Sequence, residues 1–215
     1  MSSNRKLIIF DYDGVLVDTF PVTCMAYKEI FKEFKINRHY EPEEFRYLFE
    51  ADWKKFVATL GITSKEDIKK VEDIFRKVVL ENKDSIRLFP AIKQLLTTLK
   101  DKGHNMVIVS NNYERVIRTQ LDKEGVSHYF DHILDVSHGL KPDPAGVLVA
   151  LKKLNAGPDE TILVGDMDAD IEAAKKAKLK KVIAVDWGYH HVHKLKDADV
   201  IVHSPEQLLE EINKI

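Results

Sequence analysis

Six short runs of the chain are apolar almost without interruption: Leu7–Phe10, Met106–Val109, His132–Leu134, Ile162–Val164, Val182–Val185 and Val200–Val202. They are rich in Ile and Val, and apart from His132 they do not alternate apolar with polar. A strand covered on both faces reads this way, so the runs predict parallel strands within a buried sheet. Between the later runs the period lengthens. Ile92, Leu95, Leu96 and Leu99 fall at i, i+3, i+4 and i+7, with Gly103 placed as a stop, and Val147, Ala150, Leu151 and Leu154 repeat the spacing. Strands alternating with helices imply right-handed crossovers and a doubly wound α/β fold with a parallel, Rossmann-like sheet.

The alternation breaks after the first run. Tyr27, Ile30, Phe31 and Phe34 form one helical stripe; Trp53, Phe56, Val57 and Leu60 form another; Ile68, Val71, Phe75 and Val78 form a third. Ser64, with Asp67 three residues on, opens the third with an N-cap pattern. Pro42 and Gly61 punctuate the stretch, and no strand is legible in it. The pattern predicts an all-helical insertion over residues 18–84, with residues 1–17 and 85–215 forming the core. Ligands of open α/β sheets bind beyond the carboxyl ends of the strands, so an insertion there is placed to cover a site.

Composition narrows the class. With 215 residues, 44% hydrophobic and 32% charged, the chain has enough apolar material for a proper core and reads as globular. Its formal net charge is -2, so no broad basic field exists to attract nucleic acid. The single cysteine, Cys24, excludes an intrachain disulfide and suits a reducing compartment. No apolar run approaches the ~18 residues of a membrane span, and Leu7–Phe10 is too short for a signal segment. A cytoplasmic protein, monomeric or homodimeric, is expected.

The candidate chemistry lies where the strands end. Asp11 and Asp13 follow the first run, Ser110, Asn111 and Asn112 the second. Lys141-Pro142 comes shortly after the third, and Gly165, Asp166, Asp168 and Asp170 close the fourth. A parallel sheet gathers these loops on one edge. Two acids at a strand exit repel each other and lose hydration, so a cation between them is expected. Mg²⁺ prefers oxygen ligands and usually takes one or two carboxylates. A carboxylate can attack phosphorus, a second acid can move the proton, and a hydroxyl and an ammonium can hold phosphate oxygens.

In this light the chain resembles the haloacid dehalogenase-like superfamily, in its phosphatase branch. Asp11-Tyr12-Asp13-Gly14-Val15 resembles the first family motif, Ser110-Asn111 the second, Lys141-Pro142 the third, and Gly165-Asp166 with Asp170 the fourth. The insertion sits where that family carries a cap. The resemblance implies Asp11 as nucleophile and Asp13 as general acid and base. It implies a Mg²⁺ held by Asp11, the backbone carbonyl of Asp13, and Asp166, with Asp170 as ligand or support. Ser110, Lys141 and the Asn111 backbone N–H would bind phosphate. The second acid, Asp13, argues against dehalogenation, where no leaving oxygen needs a proton. Asp186-Trp187-Gly188-Tyr189 is similar to phosphoglycolate-phosphatase-like members, whereas Ala177-Lys178-Leu179 departs from a pattern that often has Gly. The implied activity is Mg²⁺-dependent hydrolysis of a small phosphomonoester, phosphoglycolate or a sugar phosphate, through an aspartyl-phosphate. Phosphoglucomutase-type transfer is the alternative, and a non-catalytic binding protein on the same fold a more distant one.

The remaining signals have plainer readings. His190, His191 and His193 suggest a transition-metal site, but without regular spacing or cysteine they read as a surface loop near the substrate entrance. Arg46, Lys54 and Lys55 could reach over the substrate as specificity residues, and the plainer reading of each is a solvated helix face; Cys24 reads as a small residue in a helix, and Ser110 also as an N-cap for the helix after it.

Overall fold

A computed structural model describes residues 5–214; residues 1–4 and 215, assigned above to the core, lie outside the described residues. Along the chain come β1 (Leu7–Phe10), α1 (Phe20–Glu33), α2 (Pro42–Leu48), α3 (Trp53–Thr59), α4 (Lys65–Asn82), α5 (Ile92–Asp101), β2 (Asn105–Val109) and α6 (Glu114–Glu124). Then follow β3 (His132–Leu134), α7 (Ala145–Leu154), β4 (Thr161–Gly165), α8 (Asp168–Lys176), β5 (Lys181–Val185), β6 (Val200–Val202) and α9 (Pro205–Asn213). Every apolar run named above is a strand. All pair in parallel, in the order β3-β2-β1-β4-β5-β6.

The continuous apolar character of the strands is explained by two cores. Ile8, Phe10, Ile108 and Val164 face one side, where Leu95, Leu96 and Leu99 of α5, Ile117 and Leu121 of α6, and Leu208 of α9 pack. Leu7, Ile9, Val107 and Leu163 face the other, against Val147 and Ala150 of α7 and Ile171, Ala173 and Ala174 of α8. Burying each Leu or Ile side chain contributes about 1.5–3 kcal/mol, so neither face tolerates a polar substitution. Gly103 follows α5 with φ +79°, the left-handed conformation expected of a helix stop. Lys178, just past α8, adopts φ 59°. Lys178 is thus in a left-handed turn, which a lysine enters at a cost of roughly 1 kcal/mol.

Helices α1 to α4 build a third core of Phe20, Cys24, Tyr27, Ile30, Phe31, Phe45, Phe56, Val57, Ile62 and Val71. Its rings cluster about Tyr27, which meets Phe56 edge-on at 5.0 Å and Phe45 at 5.6 Å. Ser64 caps α4 by accepting from the Asp67 N–H at 3.0 Å, as its spacing predicts. The periodicity argument passes over α2, because in seven residues it buries only Phe45. Tyr189, from the loop after β5, also enters this third core and so joins the insertion to the sheet.

Candidate active site

Register brings the acids together. Phe10 lies beside Ile108 of β2 and Val164 of β4, so Asp11 comes level with Val109 and Gly165, and Ser110 and Asp166 follow one residue further along their strands. The Asp11 N–H donates to the Val164 carbonyl at 2.9 Å, carrying the ladder one step further. Beyond that step Asp11, Asp166 and Asp170 converge, each offering a carboxylate oxygen within 4.8 Å of the others. All three are buried. Gly14 and Gly188 close around Asp166. A Cβ on Gly14, which has φ +79°, would lie 2.2 Å from Asp166 Oδ2, and one on Gly188 would lie 2.3 Å from it. The Gly of the first motif is therefore fixed by both backbone conformation and space.

The ammonium of Lys141, 3% exposed, sits 2.7 Å from Asp11 Oδ1 and 2.6 Å from Asp170 Oδ1. Asn111 holds the loop that delivers it: its Oδ1 accepts from the Lys141 N–H at 2.7 Å, and its Nδ2 donates to the Lys141 carbonyl at 3.3 Å. Asp170, in the first turn of α8, turns Oδ2 back to accept from the Asp166 and Met167 N–H groups at 3.2 and 3.0 Å. Both its oxygens therefore have partners within the chain. Asp166 is different. Its Oδ2 accepts from the Tyr189 N–H at 2.5 Å, while Oδ1 is buried without a partner among the described residues.

The electrostatics are those of an anion-rich pocket. Burial pushes the Asp11 carboxyl up to about 7, opposed by Lys141 and reinforced by Asp170. Burial also drives Asp166 well upward, with Asp11 and Asp170 adding to it. For Lys141, burial pulls downward, but Asp11 and Asp170 outweigh it and hold the ammonium charged. With all three carboxylates ionised, the single ammonium leaves a deficit equal to one divalent cation. The donor set is all oxygen and Asp166 Oδ1 is orphaned, so these residues fit a hard cation such as Mg²⁺.

Asp13 stands outside that cluster, in a hydrogen-bonded chain of its own. The Thr19 hydroxyl donates to Asp13 Oδ1 at 2.9 Å and Asn112 Nδ2 donates to Oδ2 at 3.1 Å. With its only proton on Asp13, Thr19 accepts from the Tyr189 hydroxyl at 2.9 Å, which accepts from Thr23 at 2.8 Å. Burial raises the Asp13 pKa against the Thr19 and Asn112 bonds. Asp13 is thus held at both oxygens yet shifted toward carrying a proton.

Ser110 is buried at the end of β2 and accepts from the Asn112 N–H at 3.1 Å. It does not cap α6, whose N-cap is Tyr113, because the chain turns twice before the helix begins. Thr19 and Thr23 escape a sequence reading, and Asn112 and Tyr189 are marked there without these partners. Their only signals are the i, i+4 hydroxyls opening α1, the second Asn after β2, and the Trp-Gly-Tyr turn.

His190 corrects the surface-loop expectation. It is 1% exposed and bridges two parts of the chain. Nδ1 accepts from the Asp168 N–H at 3.3 Å, which leaves Nε2–H to donate to the Phe49 carbonyl at the end of α2, at 2.9 Å. Burial lowers its pKa, in keeping with a neutral ring. Lys194 Nζ reaches the same carbonyl at 3.3 Å, and Tyr47 stacks on His191 at 4.6 Å. The histidine segment thus clasps α2 onto the site loops. Lys54 and Lys55 are solvated as expected, whereas Arg46 packs its guanidinium over the Phe20 ring.

A doubly wound sheet with acids at the ends of β1 and β4 and a buried lysine between them defines a hydrolase of the haloacid dehalogenase type. Residues 8–185 match the model of the haloacid dehalogenase-like hydrolase family. The chain belongs to that family, in its phosphatase branch. It is 34% identical to the phosphoglycolate phosphatase of Aquifex aeolicus (strain VF5) over 187 residues, 86% of each chain. It is 28% identical to pyrophosphatase PpaX of Oceanobacillus iheyensis over 214 residues, 98% of this chain and 94% of the relative. The fold matches a haloacid dehalogenase-like family hydrolase from Streptococcus pneumoniae with a TM-score of 0.83 at 24% identity, over 97% of this chain and 98% of that one. Among the described residues no helix is long and apolar enough to cross a membrane.

Proposed function

We propose that this chain hydrolyses a small phosphomonoester through an aspartyl-phosphate on Asp11, with Mg²⁺ as cofactor. The observation that carries the proposal is the buried meeting of Asp11, Lys141 and Asp166 beside an Asp13 held for proton transfer. An Asp11 carboxylate oxygen attacks phosphorus, and the bond from phosphorus to the ester oxygen breaks. Asp13 gives that oxygen its proton. Water then attacks the phosphorus of the acyl phosphate, Asp13 takes a proton from it, and Asp11 is regenerated. Lys141, Ser110 and the Asn111 N–H hold the non-bridging oxygens against the developing charge. Asp11, Asp166 and the Asp13 main-chain carbonyl would hold the cation, which supplies positive charge facing the phosphoryl oxygens.

In the same reading the helices of residues 18–84 are a cap over a core of residues 1–17 and 85–215, closing to exclude bulk water and opening to exchange ligands. The name of the Aquifex relative makes 2-phosphoglycolate the first substrate to try. The test is phosphate release from a panel of phosphomonoesters, sugar phosphates included, with Mg²⁺ or with EDTA. Release that requires Mg²⁺ supports the proposal; equal release in EDTA overturns the metal assignment, and isomerised sugar phosphate without release favours a mutase.

Cation binding should also leave a pH signature in stability. A carboxyl raised to about 7 in the folded chain stabilises it below the ordinary carboxylate pKa. That contribution is lost as pH rises through about 7. A cation prefers the deprotonated site, so the rise in thermal midpoint on adding Mg²⁺ is expected to be larger at pH 8 than at pH 5.5. Differential scanning fluorimetry with Mg²⁺ and with EDTA at both pH values measures it. An increment that does not change with pH would mean that the raised carboxyls are not the cation's ligands.

A further inference from the structure

We infer that Arg46 is a specificity-determining residue: its guanidinium receives a second anionic group on the substrate, at the end away from the reacting phosphorus. The inference rests on the phosphohydrolase reading above and deepens it by naming the substrate class, a small phosphomonoester with a further negative charge.

Arg46 lies on α2, the helix that the Phe49 carbonyl fastens to the site loops through His190 and Lys194. Its Cζ stands 4.2 Å from the centroid of the Phe20 ring. Phe20 meets Tyr189 edge-on at 5.2 Å, and Tyr189 leads through Thr19 to Asp13. The cation is therefore two rings away from the residues that aim the proton donor, on the side of the insertion.

The guanidinium is only partly accounted for by the folded chain. One face is spent on Phe20, and Nε faces Glu43 Oε1 at 3.4 Å. Nη1 is buried and has no acceptor among the described residues. Buried donors nearly always find partners, and a charged one loses most by going without, so the missing acceptor is itself informative. Asp18 is near enough for the Arg46 charge to oppose the burial-driven rise of its carboxyl pKa, yet it forms no hydrogen bond to the guanidinium. Lys54 and Lys55 project into solvent and offer no substitute. A planar fork oriented by an aromatic face and a carboxylate suits a carboxylate or phosphate oxygen pair better than a flexible ammonium does.

The test is steady-state kinetics of wild type, Arg46→Gln and Arg46→Lys on 2-phosphoglycolate, pyrophosphate and ethyl phosphate. Ethyl phosphate has the reacting group without a second anion. In Arg46→Gln the preference for an anionic substrate over ethyl phosphate, as a ratio of kcat/KM, is expected to fall about tenfold or more, through KM. Arg46→Lys keeps a charge over Phe20 but loses the fork, so it should retain part of the preference and remain informative if the Gln variant folds poorly. Loss confined to 2-phosphoglycolate identifies a carboxylate as the recognised group, and loss confined to pyrophosphate identifies a phosphate. Ratios that hold while all substrates decline in parallel would overturn the inference, leaving Arg46 as packing for Phe20. No phosphate release from any of them by wild-type protein would overturn the phosphohydrolase reading, and this inference with it.

Discussion

Asp11→Asn is expected to abolish phosphate release, by about four orders of magnitude or more, or roughly 5.5 kcal/mol of barrier. The amide is close in shape and remains acceptable to Lys141 Nζ, which lies 2.7 Å from Asp11 Oδ1. What it removes is the anionic oxygen that attacks phosphorus. Asp13→Asn keeps that oxygen and removes the proton carrier, so the smaller loss of about 10²–10⁴ expected of general acid–base catalysis applies. The order of the two losses is informative. A site that merely activated water would lose more with Asp13 than with Asp11. Phosphate release assayed for both variants under saturating substrate and Mg²⁺ decides between them, provided that their thermal midpoints show folded protein. The Asn variant of Asp11 should melt no lower than wild type in EDTA, because it also removes one of three crowded carboxylates.

The second large effect concerns stability. Lys141→Met is expected to cost about 3–5 kcal/mol, the range for stripping a buried ion pair of one partner. For a chain of this size that lowers Tm by roughly 10 °C. Lys141 contacts Asp11 and Asp170 at once, so its loss strands two buried carboxylates and leaves Asp166 beside them without a cation. The deficit should shrink at pH 5, where the stranded acids can protonate, and should shrink again when Asp170→Asn is added to Lys141→Met. Thermal unfolding in EDTA at pH 8 and pH 5 measures both. An unchanged midpoint at pH 8 would show that the ammonium does not neutralise these acids in the folded chain.

How much of this could be read beforehand depends on the distance over which each relation acts. The strands were legible because Leu7–Phe10 and its counterparts are buried on both faces, which leaves an uninterrupted apolar mark. Asp11 and Asp13, and Gly165, Asp166 and Asp170, were legible because local spacing encodes their geometry. A side chain at the third position of α8 reaches back over the helix start wherever it occurs. Lys141 was visible only by its place between the other motifs. Tyr189 and His190 were not legible as parts of the site, since their partners, Thr19 and Phe49, lie 170 and 141 residues away. The histidine cluster read as a surface loop because it lacks regular spacing or cysteine, and nothing local marks the carbonyl that buries His190. Arg46 was legible as one of three insert cations able to reach over the substrate, but nothing local set it apart from Lys54 and Lys55 or marked its packing over the Phe20 ring.

The most direct measurement is chemical trapping during turnover: react the protein with 2-phosphoglycolate and Mg²⁺, quench with borohydride, and locate the product by peptide mass. An acyl phosphate on Asp11 is reduced to homoserine at position 11, and that conversion, absent without substrate and absent in EDTA, is the expected result. Phosphate released at full rate with Asp11 unmodified in every quench would contradict a covalent role for it, and with that the assignment of the site.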